Sequence, residues 1–425
     1  MLIVIVYNYF KIRLITGYAA KNTASSVFVA KRTLAFTNKT DTNFFPIKFA
    51  NNKIKQDEKS ASSNVLGLST KKAFFRAGLG SVLSLEKEDL YKKYLIPKRS
   101  IPDNVTPFPF GNAPQKDTIF ANMVYEKLDK TLDVLFNDEN KTRAAVVVYK
   151  NQIVSERYAE GFNKDSKLLG WSMAKSIVGT LFGVLEHQNK INVFDKAPIE
   201  EWKNDERKQI TIHNLLQMNS GLKWQEKYSN TDVLKMLYLD RDMSKRQAKK
   251  PMVGKPNETW NYSSGTTNIL SNILRKQFKT HQEYLDFWYT DLIDKIGMNS
   301  MLIETDLIGN YVGSSYAWAT ARDWSKLGLL YLHNGTWNGE EVFTKEWLKY
   351  ATKATPTSNG SYGAQIRLNS GNEYPSVSKS MYFFSGYQGQ NVFIFPEKDL
   401  VVVKMGLTNN ADTNLFLSDI IASIK

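Results

Sequence analysis

Cysteine is absent from the 425 residues, which excludes disulfides, thiolate nucleophiles and Cys-ligated zinc or iron–sulfur centres. Histidine is scarce. His187, His213, His281 and His333 are the only four, and none is spaced as His-x3-His or His-Glu-x-x-His, which argues against a zincin-type metal site. Acidic residues are also short: 56 Lys and Arg face 42 Asp and Glu, for a net charge of +14. The imbalance is local, with 19 basic against 8 acidic residues in 1–117 and 37 against 34 in 118–425. A nucleic-acid protein would carry its basic stripe on the folded domain, so the charge reads better as a solvated linker or a flank beside a membrane, and no nucleic-acid partner is expected. What the chain does have is 42% hydrophobic residues, enough for a sizeable core.

The apolar start, Met1 to Phe10, is interrupted by Lys11 and Arg13 and resumes at Leu14 to Ala20. It is short for a spanning helix, which needs roughly 20 apolar residues, and no positive charge precedes it as in a signal peptide. Residues 1–20 are therefore expected to be a membrane anchor or signal remnant, on an exported, periplasmic-side protein that associates with the membrane through this end. A buried strand or helix of the domain is the other reading. Residues 21–117, rich in Asn, Ser, Thr and Lys and ending in the proline-fixed Ile101–Phe110, predict a loop-rich basic extension, separable from a domain at 118–425.

From residue 118 the pattern is regular. Ile119, Met123, Leu128 and Leu132 have helical spacing. The β-branched run Ala144–Tyr149, with Lys150-Asn151 and then Gln152–Tyr158, predicts a hairpin. A long helix is predicted over Ser172–His187, mostly helical chain over about 205–350, strands at Asn391–Phe395 and Leu400–Met405, and a last helix at Asp412–Ile424. This order argues for an α+β fold: an antiparallel sheet flanked by helices, with an inserted, mostly helical subdomain.

Ser172-Met-Ala-Lys175 opens the long helix. Residues three apart on a helix share a face, so hydroxyl and amine can meet where the helix start favours a developing oxyanion. A serine attacking an acyl carbon needs a base, and an amine serves only when neutral. Ninety residues on stands Tyr262-Ser-Ser264, a tyrosine on a turn before a helix that could be a second proton carrier. Between them lies Thr211-Ile-His-Asn-Leu-Leu-Gln-Met-Asn-Ser-Gly-Leu222, with Thr211 as the cap of a short helix that stops at Gly221. Gly386-Tyr-Gln-Gly-Gln390 precedes an apolar strand, and its glycines would let a ligand approach the backbone. A Ser-His-Asp triad is not supported, because His213 sits on a helix face that reads as core. Thr320-Ala-Arg-Asp323 reads as helix initiation and Tyr284–Tyr289 as a packed helix.

Taken together and in this order, the Ser-x-x-Lys, His-x-Leu-Leu-x-Met-x-Ser-Gly-Leu, Trp-x-Tyr-x-Ser, Ala319–Gly328 and Gly-x-x-Gly-Gln segments resemble the serine β-lactamase-related hydrolases. They are most similar to the 6-aminohexanoate-dimer hydrolase and carboxylesterase branch, over roughly 118–425. The resemblance implies a β-lactamase/transpeptidase-like fold and cleavage of a small ester or linear amide through an acyl-enzyme, with no metal or cofactor. It implies Ser172 as nucleophile, Lys175 as its proton partner and Tyr262 as the group returning the proton to the leaving group. Ser264 stands where penicillin-recognising enzymes carry a polar side chain. The N–H of Ser172 and one from Gly386, Tyr387, Gln388 or Gly389 would form the oxyanion hole, while Trp224, Glu226 and Tyr228 fall where this branch places substrate-pocket residues. The sequence departs from the pattern at Ser385-Gly-Tyr-Gln-Gly389, where β-lactamases and carboxypeptidases carry a cation, and Lys379 is six residues away. Esters or linear amides are therefore favoured over a β-lactam or D-Ala-D-Ala substrate. A β-lactamase, a carboxypeptidase, or a non-catalytic module of this fold that binds peptidoglycan or a protein remain the alternatives.

Overall fold

Lys150 and Asn151 both lie in the left-handed region, at φ of 47° and 63°, as a two-residue hairpin loop requires. They join two strands of the main sheet of a computed structural model that describes residues 2–101, 105–227 and 232–425. The chain opens with helix α1 (Leu2–Phe28), followed by an antiparallel meander of β1 (Asn51–Lys55), β2 (Ser60–Val65), β3 (Leu68–Arg76) and β4 (Gly80–Ser84). Helix α2 (Tyr125–Leu135) leads into the hairpin of β5 (Thr142–Tyr149) and β6 (Gln152–Tyr158). Helices α3 (Ala174–His187), α4 (Ser264–Lys276) and α5 (Ala321–Leu332) follow, with several shorter helices between them. The chain then returns to strands β7 (Arg367–Leu368), β8 (Tyr382–Gly386), β9 (Gln390–Phe395) and β10 (Leu400–Gly406), and ends in helix α6 (Thr413–Ile421). The main sheet is antiparallel with order β7-β8-β9-β10-β5-β6.

Alternation along these strands divides the core into two layers. Val146, Val401, Val403, Val392 and Phe384 face α3 and α5, while Val147, Val402, Phe393 and Phe383 face α2 and α6. The expected α+β class and helical insertion are what the chain adopts. Helix α2 starts later than the spacing from residue 118 suggests, at Tyr125. Ile119 is 86% exposed, and Met123 instead bridges to Ile424, with the Val124 N–H bonded to the Ser423 carbonyl, so the terminus takes the backbone groups a helix would have used. Thr211 caps a helix as expected, in a reciprocal box with Asn214, but the helix ends at Leu216 rather than at Gly221 because Met218 turns left-handed at φ of 58°.

The amino-terminal expectations need correction. Residues 21–84 are not mainly loop: they carry the end of α1 and the four-stranded meander, while the described part of 92–117 has no helix or strand. Polar Ser, Asn, Thr and Lys at the outer positions of β1, β2 and β3 hid an alternating pattern whose inner positions include Asn52, Ser63, Ala61 and Ala73. Nor does α1 fit an anchor. Among the described residues no helix is long and apolar enough to cross a membrane. From Leu14 onward α1 is buried against its own sheet. Ala19, Ala20 and Ala24 allow close approach there, and Tyr18, Val27 and Phe28 fill one core with Val233, Met236 and Leu237 of the helical insertion. The extension is built into the hydrolase-like part through this shared core and through a buried ion pair, Lys21 Nζ to Glu304 Oε2 at 2.5 Å.

Candidate active site

The chain enters the site through Trp171, a bulky residue at φ of +47°. Such a backbone costs on the order of 1–3 kcal/mol and persists only where the surroundings enforce it. Three rings do so: Tyr18 of α1 stacks on the Trp171 indole (centroids 6.1 Å apart), Tyr316 lies at 6.0 Å, and Tyr387 meets it edge-on at 5.7 Å. Ser172 comes next, on the one-turn 3-10 helix Trp171–Met173 that runs into α3. The predicted long helix is thus present, with a tighter first turn that leaves the serine hydroxyl at its mouth.

Lys175, one turn on, is buried, and its ammonium donates three bonds of 3.0 Å each: to Ser172 Oγ, to Ser264 Oγ and to the Ser314 carbonyl. Three protons meet three acceptors. Ser264, only 1% exposed, passes its own hydroxyl proton toward Glu226 Oε1 in a short hydrogen bond, and its N–H donates to Glu226 Oε2 at 2.9 Å. The Trp224 indole N–H donates to the same oxygen at 2.5 Å. A continuous chain therefore runs Glu226–Ser264–Lys175–Ser172, with a carboxylate at one end and the Ser172 hydroxyl at the other. Glu226 and Trp224 were expected as pocket lining. Glu226 does line the cavity while anchoring the chain, whereas Trp224 is buried behind it. Tyr228 lies outside the described residues.

Tyr262 stands across from Lys175, with the ammonium 4.8 Å from its ring centroid and the Arg367 guanidinium 5.4 Å from it. Trp260 and Tyr362 pack on its other sides. Burial pushes the Tyr362 phenol well above its ordinary value, so it stays neutral beside the site. Ser172, Tyr262, Glu226, Gly386, Tyr387 and Gly389 share one cavity of about 630 Å³, within the range of small-molecule sites. Gln388, at φ of +62°, turns away and borders a separate small cavity beside Tyr18 and Arg143. Lys379 lines another groove with Lys349 and Pro396 and takes no part. His213 is far from this chemistry in role: its Nδ1 pairs with the Tyr350 hydroxyl at 2.9 Å, it stacks on Phe194, and burial lowers its pKa. Arg367, Glu373 and Lys404, which no motif singled out, also line the cavity. Among the described residues no group of three or more His, Asp or Glu side chains could hold a metal ion.

Gly386, the last residue of β8, meets the turn before Ser172: a Cβ there would lie 2.1 Å from the Gly170 carbonyl oxygen. Alanine must push the strand end away from Ser172. Since a 1 Å misplacement can cost about 10²-fold in rate, Gly386→Ala is expected to lower kcat/KM for a chromogenic ester by roughly that factor. Circular dichroism should stay native. Wild-type kinetics in the variant would show that this approach is not needed for catalysis.

The family model described as Beta-lactamase matches residues 137–417. The 6-aminohexanoate-dimer hydrolase of Paenarthrobacter ureafaciens is 24% identical over 310 residues, covering 65% of this chain and 75% of that protein. Among solved structures, a candidate 6-aminohexanoate-dimer hydrolase from Bacillus anthracis aligns with a TM-score of 0.59 at 23% identity, over 69% of this chain and 80% of that one. The D-stereospecific amidohydrolase of a Streptomyces species aligns at 0.54 and 12% identity, over 70% and 99%. With a buried lysine bonded to a serine at the mouth of a helix, and with a family model spanning most of its length, the chain belongs to the β-lactamase family of serine hydrolases.

Proposed function

We propose that this chain hydrolyses esters or linear amides through an acyl-enzyme on Ser172. The observation that supports it most is the 3.0 Å bond between Lys175 Nζ and Ser172 Oγ inside the cavity that Tyr262 lines. In its neutral form Lys175 keeps two N–H donors for Ser264 and Ser314 and turns its lone pair to the Ser172 proton. The serine oxygen then attacks the acyl carbon, the proton passes to Lys175, and the carbonyl oxygen becomes an oxyanion. The Ser172 N–H and one N–H from the Gly386–Gly389 segment are the donors we assign to it, each worth about 3–4 kcal/mol of transition-state stabilisation. Tyr262 returns a proton to the leaving group, and water attacks the acyl-enzyme with the proton path reversed. Glu226 holds Ser264 as an acceptor for Lys175, which keeps the amine aimed. The third-motif segment at the end of β8, Ser385-Gly386-Tyr387, carries no cation, which favours esters or linear amides over β-lactams.

The test is labelling by a fluorophosphonate probe followed by peptide mass analysis. One adduct on the peptide containing Ser172 is expected, and an unlabelled protein or an adduct on another residue would overturn the assignment. Tyr262→Phe keeps the ring and its contacts and removes only the hydroxyl. An amine leaving group needs protonation and a nitrophenolate does not. The variant should therefore lose about 10²–10⁴-fold on anilides and much less on matching p-nitrophenyl esters. Equal losses on both series would remove the leaving-group role from Tyr262.

A further inference from the structure

Strand β10 reads Leu-Val-Val-Val-Lys-Met-Gly, and every residue of it is buried, Lys404 included at 1% exposure. Lys404 pairs across the sheet with Asn391 of β9, which pairs in turn with Ser385 of β8, so the three form a row on one face. All three line the cavity that holds Ser172. Two strand spacings, about 10 Å, separate Lys404 from Ser385 along that row.

A buried ammonium is normally paired, because desolvating a charge is costly. Among the described residues no carboxylate lies within ion-pair distance of Lys404. Its one bond among the described residues is a long 3.4 Å contact from Nζ to the Gly389 carbonyl. The acids of the cavity are already engaged: Glu226 by Ser264 and Trp224, Glu373 by Arg367 at 3.7 Å, and Asp412 by the Leu415 N–H that it caps at 2.9 Å. Burial lowers Lys404 to about 8, so it is still largely charged at neutral pH. The backbone packs closely on it. Gly389, at φ of +78°, carries no side chain, and a Cβ there would come within 2.9 Å of the ammonium and would also meet the Thr408 carbonyl oxygen at 2.4 Å.

We propose that Lys404 forms an anion subsite that binds a carboxylate of the substrate at a distance from the bond cleaved at Ser172. The carboxylate supplies the counter-charge that the fold withholds, with the Asn391 and Asn409 amides lining the same end of the cavity. The proposal rests on the hydrolase reading above and deepens it: the preferred substrates are esters or amides whose acyl or leaving part ends in a carboxylate.

The experiment compares matched pairs differing only in terminal charge: the p-nitrophenyl monoester of suberic acid against p-nitrophenyl octanoate, and the octanoyl amide of 6-aminohexanoate against that of hexylamine. Wild type should favour the anionic member of at least one pair, chiefly through KM. Lys404→Met should reduce that preference by about 10–100-fold, the range for one hydrogen bond to a charged group. Lys404→Arg, which restores the charge, should recover part of it. Equal kcat/KM within both pairs in wild type, or a preference that survives in Lys404→Met, overturns the subsite. Calorimetric binding of free suberate to the Ser172→Ala protein, with and without Lys404→Met, needs no turnover. If no substrate is cleaved and no probe attaches, the hydrolase reading fails, while this arm still decides the subsite: suberate bound equally by both proteins overturns it.

Discussion

Ser172→Ala is expected to abolish acyl-enzyme formation and to lower kcat for any substrate found by roughly 10⁶-fold, as removal of a nucleophile does when its partners act as a unit. The fold should be unaffected. Ser172 caps nothing by its side chain, and among the described residues its only side-chain hydrogen bond is the one it accepts from Lys175. Lys175→Met is expected to lose at least the 10²–10⁴-fold that a positioned proton transfer contributes. Methionine fills the same space without a charge, so Ser264 and Ser314 lose a donor but no cation is left stranded. The informative measurement is the double variant. Since serine and lysine work on one proton, Ser172→Ala with Lys175→Met should be no slower than Ser172→Ala alone, whereas independent roles would multiply. Stopped-flow acylation with an activated ester, alongside probe labelling, reads both. If Lys175→Met acylates at the wild-type rate, the base lies elsewhere and Glu226 through Ser264 becomes the group to examine.

Much of this site could be read from local sequence because its parts are local. Ser172 and Lys175 are one helical turn apart, and no long-range fold is needed to bring hydroxyl and amine together. Tyr262 was legible only as a member of an ordered set of motifs, since its approach to Lys175 depends on packing between α3 and the turn before α4. The part played by Glu226 was less visible. It reaches Ser264 across 38 residues, and nothing in Trp-Gln-Glu marks the glutamate as holding Ser264 rather than meeting a substrate. Lys404 did leave a signal: a single lysine in an otherwise apolar, β-branched strand next to the predicted hairpin. A charge at such a position is rarely accidental, yet its meaning depended on knowing which face of the sheet it shares with Ser385.

The amino-terminal third misled for a physical reason. Its first two strands, β1 and β2, bury Asn, Ser and Ala rather than Val or Ile, so there the alternation that identifies β-structure was written in small, mostly polar residues. Its helix buries Lys21 and Ser25, which look like surface residues until Glu304, nearly three hundred positions later, is seen to accept from both, at 2.5 and 2.8 Å. Charge counting placed the basic excess on this segment, but part of that charge is neutralised internally. Lys21 pairs with Glu304 and Arg99 with Asp294, both acids of the later chain.

Deletion of residues 2–28 is accordingly expected to leave a protein with no cooperative unfolding transition and no probe labelling. Helix α1 buries Leu14, Tyr18, Val27 and Phe28 against partners on both sides of the 117/118 boundary. At about 1.5–3 kcal/mol for each large apolar side chain, those four alone account for roughly 6–12 kcal/mol, as much as a domain's entire stability of about 5–15 kcal/mol. The deletion also strips Glu304 of its cation at a fully buried position, where breaking a pair costs about 3–5 kcal/mol. It removes the Tyr18 ring that stacks on Trp171, the strained residue next to Ser172, so whatever structure survives should have lost the serine's placement. Milder variants separate these effects. Lys21→Met keeps α1 but strands the Glu304 carboxylate among the Ser25 hydroxyl, the Ser81 N–H and the Trp318 indole N–H, and should be destabilised by about 3–5 kcal/mol in urea melts. Adding Glu304→Gln to it should return much of that loss, since an uncharged amide in the same place no longer needs a cation. Tyr18→Ala should leave more stability than the deletion and still slow probe labelling through Trp171. A soluble 29–425 protein that melts cooperatively and labels at the wild-type rate would show instead that α1 only decorates a self-sufficient hydrolase, and that the shared core contributes little.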